Sequence, residues 1–428
     1  MQVFGFRVNF TIPMMTEQTL KAKFEIKELE LNALLEITQA INSNLPEESL
    51  YKIYNFTLRS NLNIQKLALF VLDEEWNCKV SFGTKKHFSK SSLLPAFKTI
   101  QDITHLKNFE ACDFTVFDLI IPVAHKGNTL ALVFVGGLEK DDYQNDDGVK
   151  FIQALSNIII VAIENKKLVR KQLQQESFRK ELEIASDVQQ FLFPDKLPYT
   201  DILKVEASYL PHDMVGGDYY DYIPINQNQF LLCVADVSGK GIPAALMMSN
   251  FQASLRTLLR QTPNLTDIVE ALNYQVLENT KGEKFITFFA AIYDIRLKTM
   301  VYVNAGHNPP ILIDKENGIR LLEEGSTVLG AMHPLPFINE GFITNLGDFF
   351  LFCYTDGLTE TVNEKDQEFG MDRLMEYFRK NETYTKDLKT IHQDIIVALD
   401  IFKGRKGYHD DITILSCRVG NEAITDIN

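Results

Sequence analysis

The chain lacks any CxxC or Cys/His spacing, any excess of basic residues, and any apolar run long enough to span a bilayer. Its five cysteines, Cys78, Cys112, Cys233, Cys353 and Cys417, are scattered, and the last three sit in apolar strand-like runs. They read as ordinary buried thiols of a reducing cytoplasm. The formal net charge of −14 argues against general affinity for nucleic acid or anionic lipid, although it leaves room for a local basic patch. The longest apolar run, Phe151 to Ile163, contains Ser156 and Asn157 and is too short for a transmembrane helix. The N-terminal residues have neither a basic start nor a sustained apolar stretch, so they make a poor signal peptide, and Met14 and Met15 offer an alternative start. A soluble, cytoplasmic protein without nucleic-acid or membrane partners is expected.

What is present is a globular composition: 428 residues, 45% apolar and 23% charged, enough for two or three domains. The first element is a helix over residues 24–43, with Ile26, Leu29, Ala33, Ile37, Ala40 and Ile41 on one face. A second helical segment, 48–60, leads into two strands turning at Asp73 to Glu75. Two further strands turn at Lys126, Gly127 and Asn128, and helical periodicity returns before residue 165. This order predicts a small α+β domain over 24–165, after an N-terminal tail of 1–23. It resembles a GAF domain, an antiparallel sheet flanked by helices. Cys78, Cys112, His87, His105 and His125 show no metal spacing there, so a ligand sensor and an empty structural or dimerising module both remain open.

Residues 166–193 form a charged, helical, coiled-coil-like linker. Phe178, Leu182, Ala185, Gln189 and Leu192 are spaced four, three, four and three, which fits either a parallel helical homodimer or a solvated connecting helix. Pro194 and Pro198 are expected to stop it. A second α+β domain follows over 194–420, with helices predicted at 242–259, 265–281, 370–379 and 386–402.

That domain carries the chemistry. Aspartates stand at or beside the ends of apolar strands in four places: Asp218 and Asp221 in GGDYYDY, Asp236 in VADVSGKG, Asp356 in YTDGLTE, and Asp410 with Asp411 in YHDDITIL. One such residue is usually a turn former. Four sites abutting core strands would gather carboxylates that need cations to offset their repulsion and desolvation. All-oxygen donors favour Mg²⁺ or Mn²⁺, and two such ions about 3.5–4 Å apart can activate water and clamp a phosphoryl group. No Ser–His–Asp or cysteine nucleophile is evident, and SGKGIPA departs from the GxxxxGK[ST] phosphate loop. His307, in the turn NAGHNPP, reads as a structural hydrogen-bonder unless it borders a cleft.

The ordered motifs ELEIASDVQQFLFP, GGDYYDY, VADVSGKGIPAALMM, FITFFAAIYD, NAGHNPP, YTDGLTE and DDITIL resemble the 2C-type metal-dependent protein phosphatases, nearest the bacterial stress-response and sporulation (RsbU-like) branch. The resemblance covers residues 181–418. It implies a four-layer α-β-β-α domain built on two facing antiparallel sheets. It implies two divalent cations, Mn²⁺ or Mg²⁺, with Asp236 bridging both. Asp356 and Asp410 would complete one site, and Asp218 with the Val237 carbonyl the other; Asp221, Asp411 and His307 would support them. Gly217 replaces the acidic residue that eukaryotic relatives carry before Asp218, and the upstream arginine that grips phosphate has no counterpart. The resemblance further implies a phosphorylated protein substrate, an anti-anti-sigma-like regulator, and control by the N-terminal domain through residues 182–192. A phosphoprotein-binding module without activity and a hydrolase of small phosphate esters are the competing functions.

Overall fold

The computed structural model describes residues 17–61, 64–85, 88, 93, 95–106, 114–137, 146–315, 317–380 and 386–420. The alternative starts at Met14 and Met15, as well as His87 and Cys112, lie outside them. The chain divides into two compact units, Met1–Glu176 and Ser177–Asn428.

In the first unit, helices Glu17–Asn42 (α1) and Glu47–Asn61 (α2) precede strands Lys66–Leu72 (β1), Trp76–Phe82 (β2), Thr104–His105 (β3), Leu119–His125 (β4) and Asn128–Gly136 (β5). The strands pair antiparallel in the order β2-β1-β5-β4-β3. The turn between β4 and β5 is tight because Lys126 and Gly127 both take positive φ, 50° and 84°. Alternation along the strands splits the sheet's faces. Leu67, Leu69, Ile121, Val123, Val133 and Val135 face the helices. Ala68, Phe70, Ile120, Leu132 and Phe134 face a second cluster with Phe88, Phe97, Phe114 and Phe117. There Phe114 and Phe134 lie 4.8 Å apart, ring to ring. Helix α1 begins seven residues earlier than the periodicity predicts, and only its second half packs. Ala33, Ile37 and Ala40 are buried, whereas Ile26 and Leu29 are exposed.

The apolar run Phe151 to Ile163 belongs to Asp146–Gln190 (α3), one unbroken helix of 45 residues. Among the described residues it alone is long and apolar enough to cross a membrane. Phe151, Ile152, Leu155, Ile159, Ile160 and Ile163 pack on the sheet. Ser156, the polar break in that run, is satisfied by Tyr54 Oη at 2.7 Å and the Ile152 carbonyl at 2.6 Å. The α-helix ends at Gln190 and tightens into i→i−3 bonds through Phe193, the residue before Pro194, which has no N–H to offer the Gln190 carbonyl. Residues 191–193 form a turn that buries Phe193, which stacks on Tyr220 at 4.9 Å.

The second unit has two sheets. The first joins Tyr219–Pro224 (β7), Gln229–Val237 (β8), Ile286–Asp294 (β9), Thr299–Ala305 (β10) and Gly325–Ser326 (β13) in the order β13-β10-β9-β8-β7, with Gly341–Ile343 (β14) also on β10. The second joins Leu203–Leu210 (β6), Ile311–Asp314 (β11), Gly318–Leu321 (β12), Phe349–Tyr354 (β15) and Ile412–Val419 (β16) in the order β12-β11-β15-β16-β6. Every pairing except β10–β13 is antiparallel. Phe230, Leu232, Val234, Phe289, Leu351, Cys353, Leu415 and Cys417 fill the space between the sheets. Helices Gly241–Gln261 (α4) and Leu265–Thr280 (α5) cover the first sheet. Asp356–Thr359 (α6), Gly370–Lys380 (α7) and Leu388–Lys403 (α8) cover the second. The result is a four-layer α-β-β-α domain, with every predicted helix in place to within two residues at each end.

Candidate active site

Neighbouring strands of both sheets end at one group of carboxylates. Asp236 is the penultimate residue of β8, Asp218 immediately precedes β7, Asp356 opens α6 just after β15, and Asp410 and Asp411 precede β16. Their charges act on one another. Asp236 is pushed up to about 7, first by burial and then by Asp356, Asp410 and Asp411. Burial and the charge of Asp236 raise Asp218 well above the usual carboxylate range. Asp356 is raised by burial and by Asp410.

Each carboxylate is positioned by neighbours. Asp218, 1% exposed, accepts from Thr355 Oγ1 at 2.8 Å and Thr413 Oγ1 at 2.6 Å. Asp411 has both oxygens occupied, taking the backbone N–H of His212 and that of Gly217, each at 2.7 Å. Burial raises Asp411 while those N–H groups hold it down. Asp410 forms a 2.9 Å ion pair with Lys240 and accepts from the Asp411 N–H.

Backbone packing is close where the glycines stand. A Cβ on Gly217 would lie 3.0 Å from the Val237 carbonyl oxygen, so that oxygen faces the residue just before Asp218. A Cβ on Gly357 would lie 2.1 Å from the Asp411 carbonyl oxygen. The Gly357 position has no room for a side chain and the Gly217 position only tight room, because the strand ends converge there. The donor set is all oxygen and mutually repelling, which fits hard divalent cations. Among the described residues, no three carboxylate, imidazole or thiol groups close around one point as an ion-holding set.

Asp221 does not join this group. It is fully buried and holds Arg256 Nε at 2.8 Å and Nη2 at 3.1 Å, with Tyr219 Oη as a further donor. It ties β7 to α4, so its part is to brace the strand that follows Asp218. His307 is 5% exposed; its Nδ1 meets Thr287 Oγ1 at 2.8 Å, and Nε2 has no hydrogen-bond partner. Thr287 is the register partner of Asp236 across β8 and β9. Burial lowers His307 to about 4, so the ring is neutral near pH 7. Thr355, Thr413 and Arg256 are functional neighbours that the sequence does not signal, because a threonine beside an aspartate carries no local sign of its partner.

Residues 226–420 match the family described as stage II sporulation protein E (SpoIIE). Phosphoserine phosphatase RsbU of Bacillus subtilis is 30% identical over 247 residues, 57% of this chain and 71% of RsbU. Phosphoserine phosphatase RsbP of the same organism is 25% identical over 188 residues, and the match spans 46% of RsbP. Among solved structures, the SiaA-PP2C domain of Pseudomonas aeruginosa aligns with TM-score 0.50 and 20% identity, covering 57% of this chain and 98% of that domain. With the aspartates gathered at its strand ends, the chain belongs to the SpoIIE/RsbU family of phosphatases, and its second unit has the fold of a PP2C domain.

Proposed function

We propose that the protein removes phosphate from phosphoserine or phosphothreonine of a partner protein, using two divalent cations, Mn²⁺ or Mg²⁺, held by the strand-end aspartates. The observation that carries this is the convergence of strand ends: Asp236, half-buried at the end of β8, feels the charges of Asp356 after β15 and of Asp410 and Asp411 before β16. Asp218, Asp236, Asp356 and Asp410, with the Val237 carbonyl, would hold the ions. Bound cations of this kind supply a water acidic enough to ionise near neutral pH and neutralise charge on a phosphoryl group. The chain's own residues do the rest. Thr355 and Thr413 fix the rotamer of Asp218, Asp411 holds the Gly216–Gly217 turn, and Asp221 with Arg256 anchors the strand behind it. Hydrolysis breaks the P–O bond, passes the phosphoryl group to water and returns the side-chain hydroxyl.

The relatives RsbU and RsbP, both named phosphoserine phosphatases, support a phosphoprotein substrate, in our reading a small anti-anti-sigma-like regulator in the cytoplasm. A GAF-like domain over 24–165 and a linker over 166–193 would control the phosphatase domain of 194–420, acting in a homodimer. The test is phosphate release from a phosphoserine protein by the full chain, with and without Mn²⁺. Release that persists in EDTA, or selectivity for a small phosphate ester over the phosphoprotein, would remove this function.

A further inference from the structure

The site as built has a shortage of positive charge. Five aspartates, at 218, 236, 356, 410 and 411, face one another, and two divalent cations leave them one charge short of neutrality. A phosphate ester adds about −1.5 to −2 more. No arginine occurs between residues 180 and 218, the stretch leading into the site. The cation that reaches the cluster is Lys240. It stands four residues after Asp236, where the chain enters α4, with an extended backbone (φ −133°, ψ 167°) and no side-chain role in capping the helix. Its ammonium lies 2.9 Å from Asp410 Oδ2 and also donates to the His409 carbonyl, while its side chain is 43% exposed.

The turn that carries it is braced from both sides. Ser238 exchanges hydrogen bonds with the backbone of Phe285 at 2.9 and 3.0 Å. Gly239 (φ +97°) lies so close to Lys284 that a Cβ would fall 2.6 Å from that ammonium, which brings a second positive charge to the same turn. The Lys240 charge also acts on Asp356. Lysine is a compact point charge on a flexible stem, and it can exchange a half-exposed carboxylate for a phosphoryl oxygen without moving the backbone.

Building on the phosphatase function above, we propose that the Lys240 ammonium releases Asp410 and donates instead to a phosphoryl oxygen of the substrate, and so takes the place of an arginine absent from residues 180–218. The test uses the full chain at saturating Mn²⁺, with Lys240→Met and Lys240→Arg, a phosphoserine protein as substrate and inorganic phosphate as competitor. Losing one charge-assisted contact predicts a rise of about ten- to a hundredfold in KM and in the phosphate inhibition constant for the methionine variant. The Mn²⁺ activation midpoint should stay within about twofold, and arginine should restore most of the phosphate affinity. Unchanged phosphate inhibition in Lys240→Met overturns the proposal, as does an effect confined to the Mn²⁺ midpoint, which would make Lys240 a partner of Asp410 only. Calorimetric binding of inorganic phosphate to the Mn²⁺-loaded protein separates the two proposals. Lysine-dependent binding without turnover would sink the phosphatase function and leave the phosphate grip standing.

Discussion

The carboxamide of Gln189 grips the backbone of Gly216 with both its ends: Nε2 donates to the carbonyl at 2.8 Å, and Oε1 accepts the N–H at 3.2 Å. Gln189 is the penultimate residue of α3, and Gly216 lies two residues before Asp218. The helix end is thus bonded to the turn that presents a proposed metal ligand. Gln189→Leu keeps the volume and leaves two buried backbone groups unpaired, costing about 1–3 kcal/mol. We expect the Mn²⁺ concentration for half-maximal activity to rise several-fold. A titration that overlays the wild type would show that the helix end does not set this turn.

Asp236→Asn is expected to reduce phosphate release almost to nothing while making the cation-free protein more stable. A half-buried carboxylate raised to about 7, first by desolvation and then by three like charges, costs folding energy near pH 7, and the amide removes that cost. The gain should be on the order of 1 kcal/mol, read as a higher midpoint of denaturation in EDTA. Adding Mn²⁺ should stabilise the wild type and not this variant.

Gly216→Ala places a Cβ 2.0 Å from Tyr209 Oη and 2.4 Å from Asp411 Oδ2. We expect a loss of about 1–3 kcal/mol in denaturant unfolding, together with reduced activity. Gly407→Ala meets nothing within 4 Å and serves as the control, within about 0.5 kcal/mol of the wild type.

His392 is buried between Ser208 Oγ at 2.9 Å and Ser416 Oγ at 2.8 Å, and burial lowers it to about 3. The unfolded chain takes up its proton first, near pH 6.5. Its contribution is therefore complete above pH 6.5 and is lost progressively as pH falls towards 3. At pH 5 the loss should be on the order of 2 kcal/mol. His392→Gln should flatten that part of the stability profile, measured by urea unfolding between pH 7 and 4.5.

Much of the architecture was legible because local chemistry speaks for itself. Apolar alternation with Lys126 and Gly127 between two runs specifies a hairpin, and the structure has β4 and β5 there. The burial of Cys233, Cys353 and Cys417 followed from the strands that hold them. Periodicity misplaced the start of α1, since Ile26 and Leu29 continue an apolar face that the sheet does not cover. Spacing also put Gln189 and Leu192 on a coiled-coil seam, yet Gln189 bonds Gly216 and Leu192 packs on the core beside α4.

By itself, then, the order of residues determined the strands, the helices and the aspartates at strand ends, because periodicity and turn chemistry act over a few positions. Only the tertiary structure decided which polar groups meet. Asp218 and Thr413 are 195 residues apart and share a hydrogen bond; Asp221 and Arg256 neutralise each other rather than joining the cluster. The partner of a buried charge depends on which strands lie side by side, and that pairing is settled by packing over the whole domain rather than by any short stretch of chain.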